Sequence, residues 1–244
     1  MELKNLKHIG QGKIASVLSD GIFAYKVFPS WYPSECIEDE VKVYNEIEKH
    51  TSLHIAKCEL LKENHAIKMT LVKGETIAHK MKKEKFPLGI ETLIQCQSQI
   101  FQYQGLNLED AFSSFESKIS SSSLEYNIKV KALKSLHSIE KSKRLCHFDL
   151  HLENIMMSEE NIIIIDWVNA KLGNPVMDIA RTYVILLQYV KRKANLYLKE
   201  ICKALDYDTH DVMKAVPLMA ALRLLENDAN SFHETLKQLI LFEQ

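Results

Sequence analysis

The sequence predicts an α+β chain with antiparallel strands first and helices after them. Three observations carry this reading. Val17-Leu18 and Ile22–Val27 flank Ser19-Asp20-Gly21, and an Asp-Gly pair between apolar runs signals a hairpin. From about Leu88 onward, apolar residues recur at helical spacing through most of the chain. Between helical stretches lies Cys146–Asp166, a polar loop followed by two short apolar runs. The other elements fall into place around that loop.

Composition narrows the function. A chain of 244 residues, at about 150 residues per domain, makes one large domain or two lobes. Hydrophobic residues are 46% and charged residues 26%, as in ordinary globular proteins. A net charge of −1 leaves no basic footprint for nucleic acid. Cys36, Cys58, Cys96, Cys146 and Cys202 are scattered with no Cys-x-x-Cys pair. Neither a zinc site nor a disulfide framework is expected, and reduced thiols fit a cytoplasmic protein. No apolar run approaches the ~18 residues of a membrane span, and Met1–Lys7 lacks a signal-peptide core. A cytoplasmic location without a membrane partner follows as an expectation; the sequence leaves the oligomeric state open.

The loop reads His147-Phe148-Asp149-Leu150-His151-Leu152-Glu153-Asn154. Ile155–Met157 and Ile162–Ile165 look like short strands joined by the turn Ser158–Asn161. Such a hairpin fixes Asn154 at its start and Asp166 at its exit, on one end, with Asp149 just before. Three oxygen-bearing side chains in that arrangement suit one or two hard cations and a hydroxyl nucleophile. His147, Asp149 and Asn154 meet the kinase catalytic-loop pattern His-x-Asp-x-x-x-x-Asn with no insertion. His147 and His151 also raise a metal site with Asp149, but their crowded spacing favours structural hydrogen bonding.

This stretch, with Ile165-Asp166-Trp167 after it, resembles the aminoglycoside phosphotransferase and choline kinase family of small-molecule kinases. Their loop commonly reads His-Gly-Asp-Leu-His-x-x-Asn, then Ile-Asp-Trp. Phe148 departs from the usual Gly and is expected to narrow the mouth of the site. The resemblance implies a two-lobed protein-kinase-like fold: a small antiparallel-sheet lobe over 1–72 that binds nucleotide, and a helical lobe over 73–244 with the catalytic loop and acceptor pocket.

Further matches extend the resemblance. Ile9-Gly10-Gln11-Gly12-Lys13-Ile14-Ala15-Ser16-Val17 fits Gly-x-Gly-x-x-Gly-x-Val except that Ala15 replaces the third Gly. Gly10 and Gly12 would let backbone approach phosphates, although a plain turn before a strand fits the same residues. Lys26 in Ala24-Tyr25-Lys26-Val27 resembles the family lysine that meets the α- and β-phosphates; an outward-pointing edge lysine is the alternative. Ser34–His50 reads as a helix capped by Ser34, with Ile37, Val41, Tyr44 and Ile47 as its buried stripe. Glu40 is the chosen partner for Lys26, with Glu46 and Glu38 as alternatives. A second hairpin is read over Ile55–Leu61 and Ala66–Leu71. Met69–Ile77 resembles the family hinge, where backbone groups of Thr70, Leu71 and Val72 would meet adenine.

In the second lobe, helices are expected over Leu88–Tyr103, Leu108–Ile119 and Leu124–Glu140, the last with a Ser122/Glu125 capping box. Gly173-Asn174-Pro175-Val176-Met177-Asp178-Ile179-Ala180 resembles the family's Gly-x-Pro-x-x-Asp-[Ile/Leu]-Ala, where the Asp opens a helix and braces the loop. Asp178 and His147 are therefore expected to support the loop rather than touch substrate. Asp166 and Asp178 lie 12 positions apart (178 − 166), too close for a protein-kinase activation segment. Helices over Asp178–Lys193, Leu196–Leu205, Asp211–Leu225 and Phe232–Phe242 complete the chain, with Pro217 in a first turn or a kink. Their charges are mixed: Asp206, Asp208, Asp211, Glu226 and Asp228 against Lys203, Lys214 and Arg223. A polycationic substrate calls for a more one-sided wall.

The resulting expectation is transfer of the ATP γ-phosphoryl group to a hydroxyl of a small molecule: an aminoglycoside, a choline-like amine, a sugar or similar. Asp149 would orient the hydroxyl and take its proton, Asn154 and Asp166 would hold Mg²⁺, and Lys26 with Glu40 would hold the phosphates. A compact atypical protein kinase and a non-catalytic nucleotide-binding module are the rival readings.

Overall fold

The computed structural model describes residues 6–159, 161–226 and 231–241. Glu160 of the expected turn, Asp228 of the mixed-charge set, Phe242 of the last helix and most of the N-terminal lead lie outside the described residues. The chain forms two compact units, one of Met1–Pro87 with Leu152–Val168, the other of Leu88–His151 with Asn169–Gln244. The first unit thus runs beyond Val72 and takes in the hairpin after the polar loop.

The first unit is built on a five-stranded antiparallel sheet. Its strands are β1 (Lys7–Gln11), β2 (Ser16–Ser19), β3 (Phe23–Val27), β4 (Cys58–Leu61) and β5 (Ala66–Thr70), in the order β1-β2-β3-β5-β4. The Asp-Gly turn works as read: Asp20 Oδ1 accepts from the Ile22 and Phe23 amides at 2.8 and 2.7 Å, and Gly21 takes φ +91°. Helix α1 (Ser34–His50) buries Ile37, Glu40, Val41, Tyr44 and Ile47. Ile37 and Val41 join Ala15, Phe28 and Ile67 in one apolar cluster, and each large aliphatic side chain so buried contributes about 1.5–3 kcal/mol. Pro33, not Ser34, precedes the first helical turn, and no side chain caps it. The Pro33 ring fixes φ at −62°, so the chain enters the helix without the serine.

Ile55 stands outside β4 and bridges Ile164 instead. The second strand of that hairpin ends at Thr70, one residue short of Leu71. Where no element is expected before Leu88, β6 (Glu75–Thr76) and helix α2 (Ile77–Lys83) follow, with Thr76 Oγ1 accepting from the His79 amide at 3.2 Å. β6 pairs β8 (Ile155–Met157), which pairs β9 (Ile162–Ile164). A Cβ on Gly74 would sit 2.3 Å from the Met157 carbonyl oxygen, so this close pairing requires glycine.

The second unit holds α3 (Gly89–Ile100), α4 (Ala111–Ser121), α5 (Tyr126–His137), α6 (Pro175–Tyr189), α7 (Lys191–Leu205), α8 (Thr209–Leu224) and α9 (His233–Leu241). A ribbon of β7 (Arg144–Cys146) and β10 (Lys171–Gly173) pairs Leu145 with Leu172. Every residue of α6 from Pro175 to Leu186 is buried, as befits a helix covered all round; it packs against α7 and α8. This helix starts before Asp178, because Asn174 Oδ1 accepts from the Val176 amide at 3.0 Å and Pro175 suits the first turn. The Ser122/Glu125 box does not form: Glu125 precedes α5 without a side-chain cap, and Ser122 Oγ donates to the Ile119 carbonyl at 2.7 Å, closing α4.

Pro217 lies inside α8. A proline there removes a ladder bond and crowds the preceding turn. Ser135 of α5 bridges the neighbouring rung: its Oγ donates to the Lys214 carbonyl at 2.5 Å and accepts from the Leu218 amide at 3.3 Å.

Candidate active site

In the first unit, Lys26 and Glu40 come together from β3 and α1. Lys26 Nζ donates to Glu40 Oε1 at 2.7 Å and to Asp166 Oδ1 at 3.3 Å. Glu40 is 3% exposed. The two alternatives are engaged elsewhere, Glu38 with Lys62 at 2.8 Å and Glu46 near His50 at 3.7 Å. Burial works against the Lys26 ammonium, but Asp166 and Glu40 outweigh it and raise its pKa. Burial pushes the Glu40 carboxyl above its usual range against the pull of Lys26. The lysine is thus a fixed positive charge between two acids, not an edge-strand lysine in solvent.

Asp166 takes φ +63°, a conformation that costs energy outside glycine and is held only where surroundings over-determine it. Its amide donates to the Tyr44 hydroxyl at 2.9 Å, and its carboxylate meets Lys26. Asn154 is buried at the start of β8, and its carbonyl accepts from the Ile165 amide at 3.0 Å. The hairpin therefore brings Asn154 backbone to backbone with the residue before Asp166.

Gly10 and Gly12 belong to β1 and the turn after it. The Gly12 amide donates to the Ala15 carbonyl at 2.8 Å, and a Cβ on Gly12 would lie 3.3 Å from that oxygen. Ala15 is buried. Gln11 braces the turn, donating to the carbonyls of Gly12 and Ala15. Thr70 donates its amide to the Lys57 carbonyl at 3.0 Å. Of the expected hinge residues, Leu71 and Val72 are the ones outside the strands.

In the second unit the loop is clamped by α6. Asp178 is fully buried; its Oδ1 accepts from the Phe148 amide at 2.6 Å, and its Oδ2 from the His147 amide at 3.4 Å and Gln97 Nε2 at 3.3 Å. Burial raises the Asp178 carboxyl to about 6, against these donors and the Arg181 charge. His147 is buried, and its Nδ1 accepts from the Asp149 amide at 3.2 Å. Gln97 also donates to Thr182 Oγ1 at 3.2 Å, and Thr182 donates to the Leu150 carbonyl at 2.9 Å. Asp149 is half-buried, with Arg181 Nη2 3.9 Å from its Oδ1.

Phe148 does not project as expected. Its φ of +57° explains why glycine suits this position, but the ring turns inward. It is 4% exposed and packs edge-on against Phe115 of α4, with ring centroids 4.9 Å apart. It fills space in the helical unit rather than narrowing a mouth.

Among the described residues, no group of three or more His, Cys, Asp or Glu forms a ready metal cage. One carboxylate, Asp166, and one amide, Asn154, suit Mg²⁺, which keeps waters and phosphate oxygens for its other positions. Sequence reasoning missed Tyr44 as a polar support, Gln97, and the pair Arg181–Glu226. Tyr44 was read as core, and the others carry no local pattern.

None of the curated proteins matches the chain. Residues 121–216, which include the loop, Asp166 and Asp178, match the family model described as "Phosphotransferase enzyme family". Among solved structures, a thermostable mutant of aminoglycoside phosphotransferase APH(4)-Ia, in ternary complex with ADP and hygromycin B, superposes with a TM-score of 0.71 at 10% identity, covering 97% of this chain and 92% of that one. A choline/ethanolamine kinase family protein from Mesorhizobium loti gives 0.65 at 13% identity over 97% and 88%. Amicoumacin kinase hAmiN, in complex with AMP-PNP, Ca²⁺ and Ami, gives 0.63 at 14% identity over 98% and 88%. The chain has the α+β fold of these solved structures, and residues 121–216 are similar to the phosphotransferase enzyme family.

Proposed function

We propose that this chain is a small-molecule kinase that moves the γ-phosphoryl group of ATP to an alcohol. The bond between that phosphorus and its bridging oxygen breaks, a bond to the acceptor oxygen forms, and the hydroxyl proton goes to Asp149. The observation that carries the reading is Lys26 held between Glu40 and Asp166, in a chain whose matched segment contains His147, Asp149 and Asn154 in catalytic-loop spacing.

In this reading the first unit binds nucleotide. Lys26 supplies positive charge to the α- and β-phosphates, Gly10 and Gly12 let backbone approach them, and Leu71 and Val72 offer backbone groups to adenine. Asn154 and Asp166 hold Mg²⁺, which neutralises phosphate charge when bound. Asp149 of the second unit orients the acceptor hydroxyl and receives its proton. Little of this is covalent chemistry; positioning and charge neutralisation supply most of the rate. The acceptor is a small hydroxyl compound, and the mixed charges of the C-terminal helices favour a neutral or modestly charged one, such as a sugar or a choline-like amine, over a polycationic aminoglycoside.

Asp166→Ala tests the nucleotide side. It removes the metal ligand and one of the two acids holding Lys26, so turnover of ATP–Mg²⁺ should vanish while circular dichroism stays native. Full turnover by this variant would take Asp166 out of the site.

A further inference from the structure

This inference rests on the reading of Asp149 as the base. One turn beyond Asp178, α6 carries Arg181, which is 5% exposed. Its Nε donates to the Phe148 carbonyl at 3.2 Å, the carbonyl that leads directly into Asp149. Its Nη2 lies 3.9 Å from Asp149 Oδ1 and pairs with Glu226 just beyond α8. Glu226 Oε2 pairs with Arg223, whose guanidinium also donates to Gln188 Oε1 at 3.1 and 2.8 Å.

Two features set this apart from a plain cross-link between helices. The strained Phe148 peptide is gripped on both sides, its amide by Asp178 and its carbonyl by Arg181, so α6 fixes the direction in which Asp149 leaves the loop. In addition, Arg181 Nη1 is buried without a hydrogen-bond partner. Buried donors are nearly always paired, so the guanidinium is placed for the loop and for Asp149 at the expense of its own satisfaction. One permanent cation is shared by two carboxylates, with Glu226 the nearer. Other charged groups around it are the buried Asp178 and Lys118 on α4, whose pKa is lowered by loss of water despite the attraction of Glu226 and which faces Lys171 and Glu109 in turn.

We propose that Arg181 is the positioning residue of Asp149: it orients the carboxylate that receives the acceptor proton, and Glu226 sets how much of its charge Asp149 feels.

The two variants of the pair have opposite consequences, which a structural role does not produce. Arg181→Met removes the cation, so the acid limb of the kcat profile should move up by about one pH unit. In the same variant kcat should fall by roughly 10- to 100-fold through misplacement. Glu226→Gln frees Arg181 toward Asp149, so the acid limb should move down. Arg181→Lys should recover part of the loss. The measurement is phosphate release from ATP–Mg²⁺ with water as acceptor, followed across pH, beside calorimetric ADP–Mg²⁺ affinity, which should change less than about 2-fold in all three because they leave the first unit untouched. Acid limbs that stay put in both variants, or move the same way with the melting temperature, overturn the inference alone. A wild-type protein that neither binds ADP–Mg²⁺ nor releases phosphate overturns the kinase reading and this inference with it.

Discussion

Lys26, Asp166 and Phe148 show how single residues are made to do what their type resists. A lysine at a half-buried sheet position costs desolvation, and here two acids offset it. The same pairing makes a prediction. Lys26→Ala leaves Glu40 buried with no ammonium 2.7 Å away, so a modest loss of stability should accompany a large loss of ATP–Mg²⁺ affinity. Calorimetric titration checks this; an unchanged dissociation constant would show that the lysine serves only Glu40. Asp166 and Phe148 hold left-handed backbone without being glycine. Each is fixed by a partner from elsewhere in its own unit, Tyr44 for one and Asp178 for the other. Spacing alone singles out Asp149, Asn154 and Asp166 as candidates. It does not reveal their supports, because Arg181 and Glu226 are 45 positions apart and meet only through helix packing.

At the scale of elements, the hairpins, α1 and the polar loop were legible because turn chemistry and periodicity are local signals. The residues before helices were less so. Ser34 and Ser122 both looked like caps, but a proline and an uncapped glutamate stand there. Helix α2 was missed because its Lys-rich exposed face shows little apolar period, with Ile77 its buried residue. Pro217 was legible as an anomaly, but the serine that bridges the rung beside it lies on another helix. Ser135→Ala should strand the Leu218 amide and Lys214 carbonyl at a cost of about 1–3 kcal/mol, seen as a lower denaturant midpoint; an unshifted midpoint would mean α8 holds the rung beside Pro217 unaided. The α6 clamp adds a pH signature. The Asp178 carboxyl sits near 6 when folded and 3.8 in the reference state, so the native protein holds the proton more tightly. Stability from this group is greatest below pH ~4, falls as pH rises toward ~6, and levels off above, a change on the order of 3 kcal/mol. Asp178→Asn should flatten that part of the curve, and urea titrations of both proteins from pH 4 to 7 give the difference. A difference that does not vary with pH would remove Asp178 as its source.

For the whole molecule, the chain crosses between its two units within the polar loop, between His151 and Leu152. Asp149 belongs to the helical unit and Asn154 to the other. In the proposed function, nucleotide binding and acceptor chemistry therefore belong to different units, and each should fail separately. Asp149→Asn keeps the shape of the side chain and removes its charge. ATP–Mg²⁺ should still protect this variant against heat, by about 2.7 kcal/mol when nucleotide is at 100 times its dissociation constant. The most direct test measures ADP formation from ATP–Mg²⁺ by the wild-type protein and by Asp149→Asn. The acceptor panel spans aminoglycosides, choline-like amines, sugars and nucleosides. At least one acceptor should be phosphorylated by the wild type and turned over about 10²–10⁴ times more slowly by Asp149→Asn at unchanged nucleotide affinity. Equal turnover of that acceptor by the two proteins would contradict the role of Asp149.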